Sequence, residues 1–248
     1  MAGHSKWSKI KRKKAVTDAK RGKFFTKLLK EVQVAAKMGG GSPEGNPRLK
    51  VAIQTAKSNS VPSDNIERAI NRGAGDLDGV DYEEVTYEGY GPGGVAILVE
   101  TLTDNRNRTA ADVRHAFSKY AGSLGSANSV AYQFTERGMF SLPLAAATEE
   151  ALFELVADAG ADDLQQEGEA WEVYSEPSVF GAVRDALETL GVEFEAELTK
   201  VPNNSIKVES KDAETLFKLL DALEDLDDVQ KVVGNFELSE ADLQKMAE

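Results

Sequence analysis

The stretch from Tyr82 to Phe117, YEEVTYEGYGPGGVAILVETLTDNRNRTAADVRHAF, decides the fold class of this chain. Residues 84–88 and 95–102 have the composition of strands, and the glycines and proline between them are typical of a hairpin connection. Polar residues at 105–109 then begin a segment whose apolar residues recur at helical spacing. The stretch therefore predicts two antiparallel strands followed by a helix.

Strands and helices continue to alternate after this stretch. A strand around 130–134 extends the first pattern to ββαβ. The segment 138–200 starts with a strand near 139–142 and ends with the strict alternation of Val192 to Leu198. Between them we expect a helix, two strands around 163–167 and 169–174, and a second helix. The order of the segment is βαββαβ, which is the order of a ferredoxin-like sandwich.

The last third of the chain adds a strand at 205–208, a helix, and a strand at 229–238. These pieces cannot bury a core alone, so we expect them to return to the sheet that begins at Tyr82. The sequence thus predicts an α+β protein, with an N-terminal three-helix domain followed by two ferredoxin-like α/β domains, one inserted into the other. The expected bounds are 1–76 for the helical domain, 77–137 plus 201–248 for the discontinuous α/β domain, and 138–200 for the inserted domain.

Three short amphipathic helices are expected before residue 76. The first begins at Thr17 or Asp18 and stops at the glycines 39–41. The second begins at Asn46 and Pro47, because proline is favoured in the first helical turn. The third begins at residues 62–64, and Gly73 and Gly75 are expected to end it. Together these helices can bury one another's apolar faces.

The formal net charge of -13 conceals two segments of opposite sign. Residues 1–72 contain 17 Lys or Arg against 5 Asp or Glu, whereas residues 73–248 contain 12 against 37. Six of the nine residues from Lys6 to Lys14 are basic. A cationic end of this kind favours binding to a polyanion, because each neutralised phosphate releases condensed counterions. The alternative is a solvated basic surface without a partner.

Aromatic side chains lie among these charges. Trp7, Phe24 and Phe25 could stack on unpaired bases. The alternative is packing within the protein, and it is the stronger interpretation for Phe25, whose spacing fits the apolar face of the first helix.

Two other segments invite an anion-binding interpretation. Arg106 and Arg108 lie at a strand-to-helix junction and form a weaker second contact site, for which helix capping with exposed arginines is the alternative. The glycines of residues 88–94, EGYGPGG, resemble a phosphate loop only superficially, since no helix follows them directly. We therefore interpret them as a hairpin turn.

Several classes of protein are disfavoured. The chain has no cysteine and only two histidines, His4 and His115, so thiol chemistry is excluded and a histidine-rich metal site is not available. No motif for catalysis or for a small-molecule substrate is evident, so we expect neither an enzyme nor a cofactor. Nothing predicts a membrane span or a secretion signal, which leaves the cytoplasm as the expected location.

The N-terminal MAGHSKWSKIKRKKAVTDAKRGKFFTKLLKEV, together with EGYGPGG and TDNRNRT, resembles the YebC/PmpR family. This family also includes the mitochondrial translational activator of cytochrome oxidase subunit one. The resemblance covers essentially the whole chain and implies three domains and a nucleic-acid partner, but no cofactor and no catalytic residues. No organelle-targeting extension is recognised in the sequence, so we do not expect a mitochondrial role. The resemblance implies nucleic-acid contacts at His4, Ser5, Lys6, Trp7, Lys9, Lys11, Arg12, Lys13, Lys14, Lys20, Arg21, Lys23, Lys27 and Lys30.

Two functions follow from the resemblance and the charge distribution. The first is a DNA-binding regulator of transcription. The second is a ribosome-associated translation factor that contacts ribosomal RNA and assists synthesis through difficult, proline-containing stretches. A run of lysines suits structured RNA at least as well as duplex DNA, because it can follow irregular phosphate geometry. Specific binding to DNA would need side chains that read base edges, and the sequence offers no clear set of them. The sequence leaves both open.

Overall fold

A computed structural model describes residues 18–75, 77 and 80–237 of the chain. The chain divides into two compact units, of which one is formed by residues 132–204. The other unit contains the helical segment, the strands that follow it and the final third of the chain. The fold class is the expected α+β arrangement.

The helical segment consists of α1 (Asp18–Gly39), α2 (Pro47–Ser58) and α3 (Ser63–Ala74), so all three predicted helices are confirmed. The Asn46 side chain caps α2 by accepting a hydrogen bond from the Leu49 amide at 3.1 Å, and it also donates to the carbonyl of Ala35 at 2.7 Å. The helices enclose one core of small and branched side chains: Val32, Ala35, Ala36, Leu49, Ala52, Ala56, Val61, Ile66 and Ala69.

Gly73 has a different role from the one expected. It does not end α3, which continues to Ala74 and is terminated by Gly75 in the left-handed conformation (φ 88°). A Cβ atom at Gly73 would lie 2.1 Å from the carbonyl oxygen of Gln33 and 2.7 Å from the Cβ of Ala36. Gly73 therefore lets α3 approach the backbone of α1.

The predicted hairpin is confirmed as β1 (Glu83–Tyr90) and β2 (Ala96–Thr103), paired from Glu83 opposite Thr103 to Tyr90 opposite Ala96. A short turn at Pro92–Gly94 joins the strands, and Gly93 and Gly94 have positive φ values of 74° and 76°. The predicted helix α4 (Arg106–Lys119) follows, and then a short strand β3 (Ser123–Leu124) pairs with β1.

The end of the chain rejoins this sheet. After β8 (Ile206–Lys207) and α7 (Ser210–Glu224), β9 (Val229–Gly234) pairs antiparallel with β2, which gives the order β3-β1-β2-β9. Helices α4 and α7 cover one face, where Val113, Phe117, Leu216 and Leu220 pack with Ile97 and Val232.

The single strand expected at 229–238 is wrong, because Asn235 interrupts it. The side-chain oxygen of Asn235 accepts a hydrogen bond from the Ala96 amide at 2.8 Å, and its carbonyl accepts one from the Ile206 amide at 2.8 Å. The chain thereby leaves one sheet and forms β10 (Phe236–Glu237), which pairs in parallel with β8. Leu238 lies outside the described residues.

The unit 132–204 contains β4 (Phe134–Pro143), α5 (Glu149–Asp158), β5 (Ala161–Glu167), β6 (Ala170–Ser175), α6 (Phe180–Glu188) and β7 (Glu195–Pro202). Its strands are antiparallel in the order β5-β6-β4-β7, as in a ferredoxin-like sandwich. Phe140, Leu142, Leu152, Val173, Val183 and Leu187 form the centre of its core.

Two strand predictions in this region are corrected. The separate strands expected at 130–134 and 139–142 are one strand, β4, which starts after a short turn at Ala131–Gln133. The last strand starts at Glu195 rather than at Val192 and continues to Pro202. Both shifts have one cause, because β4 pairs with β7 from Phe134 opposite Pro202 to Ser141 opposite Glu195.

Candidate nucleic-acid interface

Most of the contact residues implied by the resemblance lie outside the described residues. These are His4, Ser5, Lys6, Trp7, Lys9, Lys11, Arg12, Lys13 and Lys14, and the side chains of Lys20 and Arg21 are likewise outside the described part. Their contact roles stay predictions. The described members of the set are Lys23, Lys27 and Lys30, all on α1.

The three lysines lie at i, i+4 and i+7, so they form one stripe along α1. The stripe faces residues Glu224 to Asp228, EDLDD, which we call the acidic turn and which joins α7 to β9. Lys23 Nζ lies 3.0 Å from an Asp227 carboxylate oxygen, and Lys27 Nζ donates to the carbonyl of Glu224. Lys23 and Lys27 are thus already in contact with an anionic segment of the same chain.

Lys30 is buried, in contrast to its expected role as a phosphate contact. Its ammonium donates to Asp228 Oδ1 at 2.9 Å and to the Asp227 carbonyl at 3.1 Å, and it lies 5.1 Å from the centre of the Tyr82 ring. Both Lys30 and Asp228 have side chains about nine-tenths buried. A buried ion pair with these additional contacts is a structural junction rather than a surface that a phosphate can reach.

Asp228 also accepts hydrogen bonds from residues at the junction between β2 and α4. Arg108 donates to its Oδ2 at 2.6 Å, and the hydroxyl of Thr109 donates to the same oxygen at 2.8 Å. Burial acts to raise the pKa of Asp228, but the hydrogen bonds from Arg108, Lys30 and Thr109 outweigh burial and leave the pKa below its ordinary value. Asp228 is therefore an ionised carboxylate that links α1, α4 and β9.

The weaker contact site predicted at Arg106 and Arg108 is filled by carboxylates of the chain itself. Arg108 donates to Asp104 at 2.7 Å as well as to Asp228, and these hydrogen bonds raise the pKa of the Arg108 guanidinium. Asn105 caps α4 by accepting from the Arg108 amide at 3.1 Å. Arg106 is exposed and lies 3.8 Å from Glu83. The geometry matches the helix-capping alternative, and an anion at this junction remains a prediction.

Four further basic side chains of the helical segment are exposed: Lys50 and Lys57 on α2, and Arg68 and Arg72 on α3. Within the part of the chain that the structure describes, no carboxylate lies within 4.0 Å of any of them. Each pair is separated by four or seven residues and so lies on one side of its helix. Sequence reasoning counted these charges but assigned them no contact; the available signal was that they lie outside the apolar spacing of their helices.

The structure describes two of the three aromatic side chains that could stack on bases, Phe24 and Phe25. Phe25 packs against the helical core, which confirms the packing interpretation. Phe24 is 43% exposed, so its ring remains accessible for stacking. Trp7 lies outside the described residues.

The EGYGPGG segment is not a phosphate cradle, and its first residue has a role that sequence reasoning missed. Glu88 is buried, and its carboxylate accepts hydrogen bonds from the amides of Asn128, Val130 and Ala131 at 2.7–2.8 Å. Burial acts to raise the pKa of Glu88, but the hydrogen bonds from these amides leave it lowered. Glu88 thus organises the loop before β4.

Neither a metal centre nor a membrane span is found in the described residues. No group of three or more His, Asp or Glu side chains among residues 18–75, 77 and 80–237 could hold a metal ion. His115 is exposed on α4, and His4 is outside the described part. Among the helices that the structure describes, none is both long and apolar enough to cross a bilayer.

Family models and individual relatives match nearly the whole chain. The N-terminal domain of the TACO1/YebC protein matches residues 5–76, and the TACO1/YebC second and third domain matches residues 82–236. A protein of Chlorobium luteolum named probable transcriptional regulatory protein is 54% identical, over 97% of each chain. One of the same description from Geobacter sulfurreducens is 53% identical, over 99% of this chain and 100% of the relative.

A solved structure supports the fold independently. The crystal structure of a conserved hypothetical protein from Aquifex aeolicus is 46% identical, with a TM-score of 0.83, and the match covers 91% of this chain and 94% of that one. The resemblance to YebC/PmpR noted from the sequence is confirmed by these matches. On the strength of two adjoining domain models and relatives aligned from end to end, this chain belongs to the TACO1/YebC family.

Proposed function

We propose that the protein is a non-enzymatic nucleic-acid-binding regulator of gene expression that acts in the cytoplasm, and that its main activity is DNA binding in the control of transcription. The observation that carries the proposal is the set of exposed cations Lys50, Lys57, Arg68 and Arg72 on a folded, three-helix segment, within residues 1–72, which contain 17 basic against 5 acidic residues. The names of the relatives, which call them probable transcriptional regulatory proteins, support the regulatory part.

The proposed contacts are to phosphate. Lys50 and Lys57 present ammonium groups from α2, and Arg68 and Arg72 present guanidinium groups that can bind phosphate oxygens in pairs. Contacts of this kind position a protein on the nucleic acid and carry no base sequence. Asp64 and Glu67 also lie exposed on α3, so the surface is cationic without being uniformly so. We therefore expect a strongly salt-dependent affinity with little base preference from these residues.

The test measures how affinity changes with salt. The full chain is titrated into a short labelled duplex DNA and into purified ribosomes, and the variant Arg68→Ala/Arg72→Ala is compared with Lys211→Ala/Lys218→Ala. Both variants remove two positive charges, but Lys211 and Lys218 lie exposed on α7 beside acidic partners. We expect the α3 variant to flatten the log-log salt slope on duplex by about 0.9 for each phosphate that is no longer neutralised. Equal slopes for the two variants would count against the proposed surface.

A second experiment separates DNA from the ribosome as the main target. Crosslinking in cells followed by sequencing of both bound DNA and bound RNA reports which polymer the protein contacts. Enrichment of promoter DNA supports the proposal. Predominant recovery of ribosomal RNA would replace it with the ribosome-associated translation factor that the sequence also allows.

A further inference from the structure

The acidic turn presents a concentrated negative surface to α1. Four of its five residues, Glu224, Asp225, Asp227 and Asp228, are acidic. The turn also lies at the C-terminal end of α7, where the last carbonyl groups of a helix lack intrahelical partners and carry partial negative charge. Lysine side chains donate to three backbone carbonyls of the turn, those of Glu224, Asp225 and Asp227. The lysine stripe of α1 thus contacts a series of carbonyl and carboxylate oxygens. A phosphate backbone offers a similar series of negatively charged oxygen acceptors.

The interactions between stripe and turn are graded in burial. Lys30 and Asp228 are buried at one end, while at the other end the side chains of Lys23 and Asp227 are 57% and 72% exposed. Separating a buried ion pair leaves an uncompensated charge and is strongly unfavourable. An exposed ion pair contributes little and is weakened by salt. A competing polyanion can therefore take Lys23, and after it the half-buried Lys27, without breaking the Lys30 anchor.

We propose that the acidic turn is a built-in competitor of nucleic acid: it occupies the outer lysines of α1 in the free protein and yields them when a phosphate backbone binds. This inference rests on the proposed function and adds a regulation to the same helical segment, at the lysines of α1 rather than at the exposed cations of α2 and α3. It explains why Lys23 and Lys27, in the cationic N-terminal segment, contact residues about 200 positions away. A purely structural role for the turn predicts no gain in affinity for nucleic acid, because removing the charge of the turn would only lower the stability of the protein.

The experiment compares Asp227→Asn with the matched variant Asp112→Asn in the full chain. Both changes remove one exposed carboxylate, but Asp112 lies on α4 and makes no ion pair within the described part of the chain. With a short labelled duplex DNA and a single-stranded RNA of the same length as probes, we expect Asp227→Asn to bind about two- to fivefold more tightly, the range that corresponds to one exposed ion pair. The gain should be largest at low salt and shrink as salt rises, because salt screens the exposed Lys23–Asp227 ion pair that the wild type must break before Lys23 can contact phosphate.

A double-mutant cycle shows whether Lys23 carries the effect. In a Lys23→Ala background the gain from Asp227→Asn should disappear, since Lys23 is no longer there for the turn to occupy. Persistence of the gain without Lys23, or an equal gain for Asp112→Asn, would mean that bulk charge alone is responsible, and the competitor would be rejected while the proposed function stands. If neither the wild type nor any variant binds either probe, the proposed function fails and the competitor fails with it.

Discussion

Lys30 and Asp228 form an ion pair of 2.9 Å between residues 198 positions apart, and both side chains are about nine-tenths buried. Arg108 and Thr109 bind the other carboxylate oxygen, so the single aspartate receives hydrogen bonds from α1 and α4. The pair joins the helical segment to the sheet that follows it. Its burial makes it sensitive to the loss of one partner, because the ammonium left behind would be desolvated without compensation.

We expect Asp228→Ala to lower the free energy of unfolding by about 3 kcal/mol, the scale for removing one member of a buried ion pair. Chemical denaturation monitored by circular dichroism measures the change, and Asp112→Asn, at an exposed position, should stay within about 0.5 kcal/mol of wild type. Adding Lys30→Met to Asp228→Ala should recover part of the stability, because it removes the unpaired buried charge. If Asp228→Ala alone were as stable as wild type, the Lys30–Asp228 ion pair would not stabilise the fold.

The same pair predicts a pH dependence. The pKa of Asp228 is lowered in the folded protein despite its burial, chiefly by hydrogen bonds from Arg108 and Lys30. A lowered folded pKa stabilises the protein above the unfolded value, which is about 3.9, and this contribution is lost as pH falls further towards the folded value. The stability difference between wild type and Asp228→Asn should therefore be constant near neutral pH and shrink below about pH 4. A difference that grows with acidification would reverse the assigned sign.

Local patterns predicted most of the fold, because helix caps and strand alternation depend on residues that are neighbours in the sequence. Asn46 and Asn105 cap α2 and α4 where the sequence indicated helix starts. The errors concern strand bounds that are set by pairing with residues distant in the sequence. The full pairing of β4 with β7 merges two expected strands into one, and the hydrogen bond from the Ala96 amide to Asn235 divides one expected strand into two.

The candidate site shows the same division between local and distant signals. Composition alone locates the positive charge in the first 72 residues. It gives no sign that Lys23 faces Asp227 or that Lys30 is buried against Asp228, because these partners are about 200 residues apart and neither segment carries a marker for the other. The exposed cations on α2 and α3 can be told apart from the paired lysines of α1 only when the intramolecular ion pairs are known.

Glu88→Gln should loosen the loop before β4. The ionised carboxylate accepts three backbone amides, whereas a neutral amide side chain has one oxygen to accept with and an NH2 group that faces donors. We expect the free energy of unfolding to fall by about 1–3 kcal/mol, the usual penalty for buried groups left without partners. Hydrogen exchange at Asn128, Val130 and Ala131 should accelerate. The exposed change Glu149→Gln serves as control, and unchanged exchange in the Glu88 variant would show that the carboxylate does not hold the loop.

Gly73→Ala tests the close approach of α3 to α1. The added methyl group would lie 2.1 Å from the carbonyl oxygen of Gln33, well inside contact distance, so one helix must shift. Such overpacking costs about 1–3 kcal/mol, which exceeds the gain of up to about 1 kcal/mol that alanine normally brings to a helix interior. Thermal or chemical denaturation should therefore show a net decrease in stability.

Gly22→Ala is the matched control, because Gly22 also lies within a helix, α1, and a Cβ there would meet no atom of the described residues within 4 Å. Here only the helix propensity acts, and we expect the variant to gain about 0.5–1 kcal/mol. The two substitutions are chemically identical and should have opposite signs. If Gly73→Ala also stabilised the protein, the helices would have room to separate at no cost, and the tight approach of Gly73 to Gln33 would not be what sets their spacing.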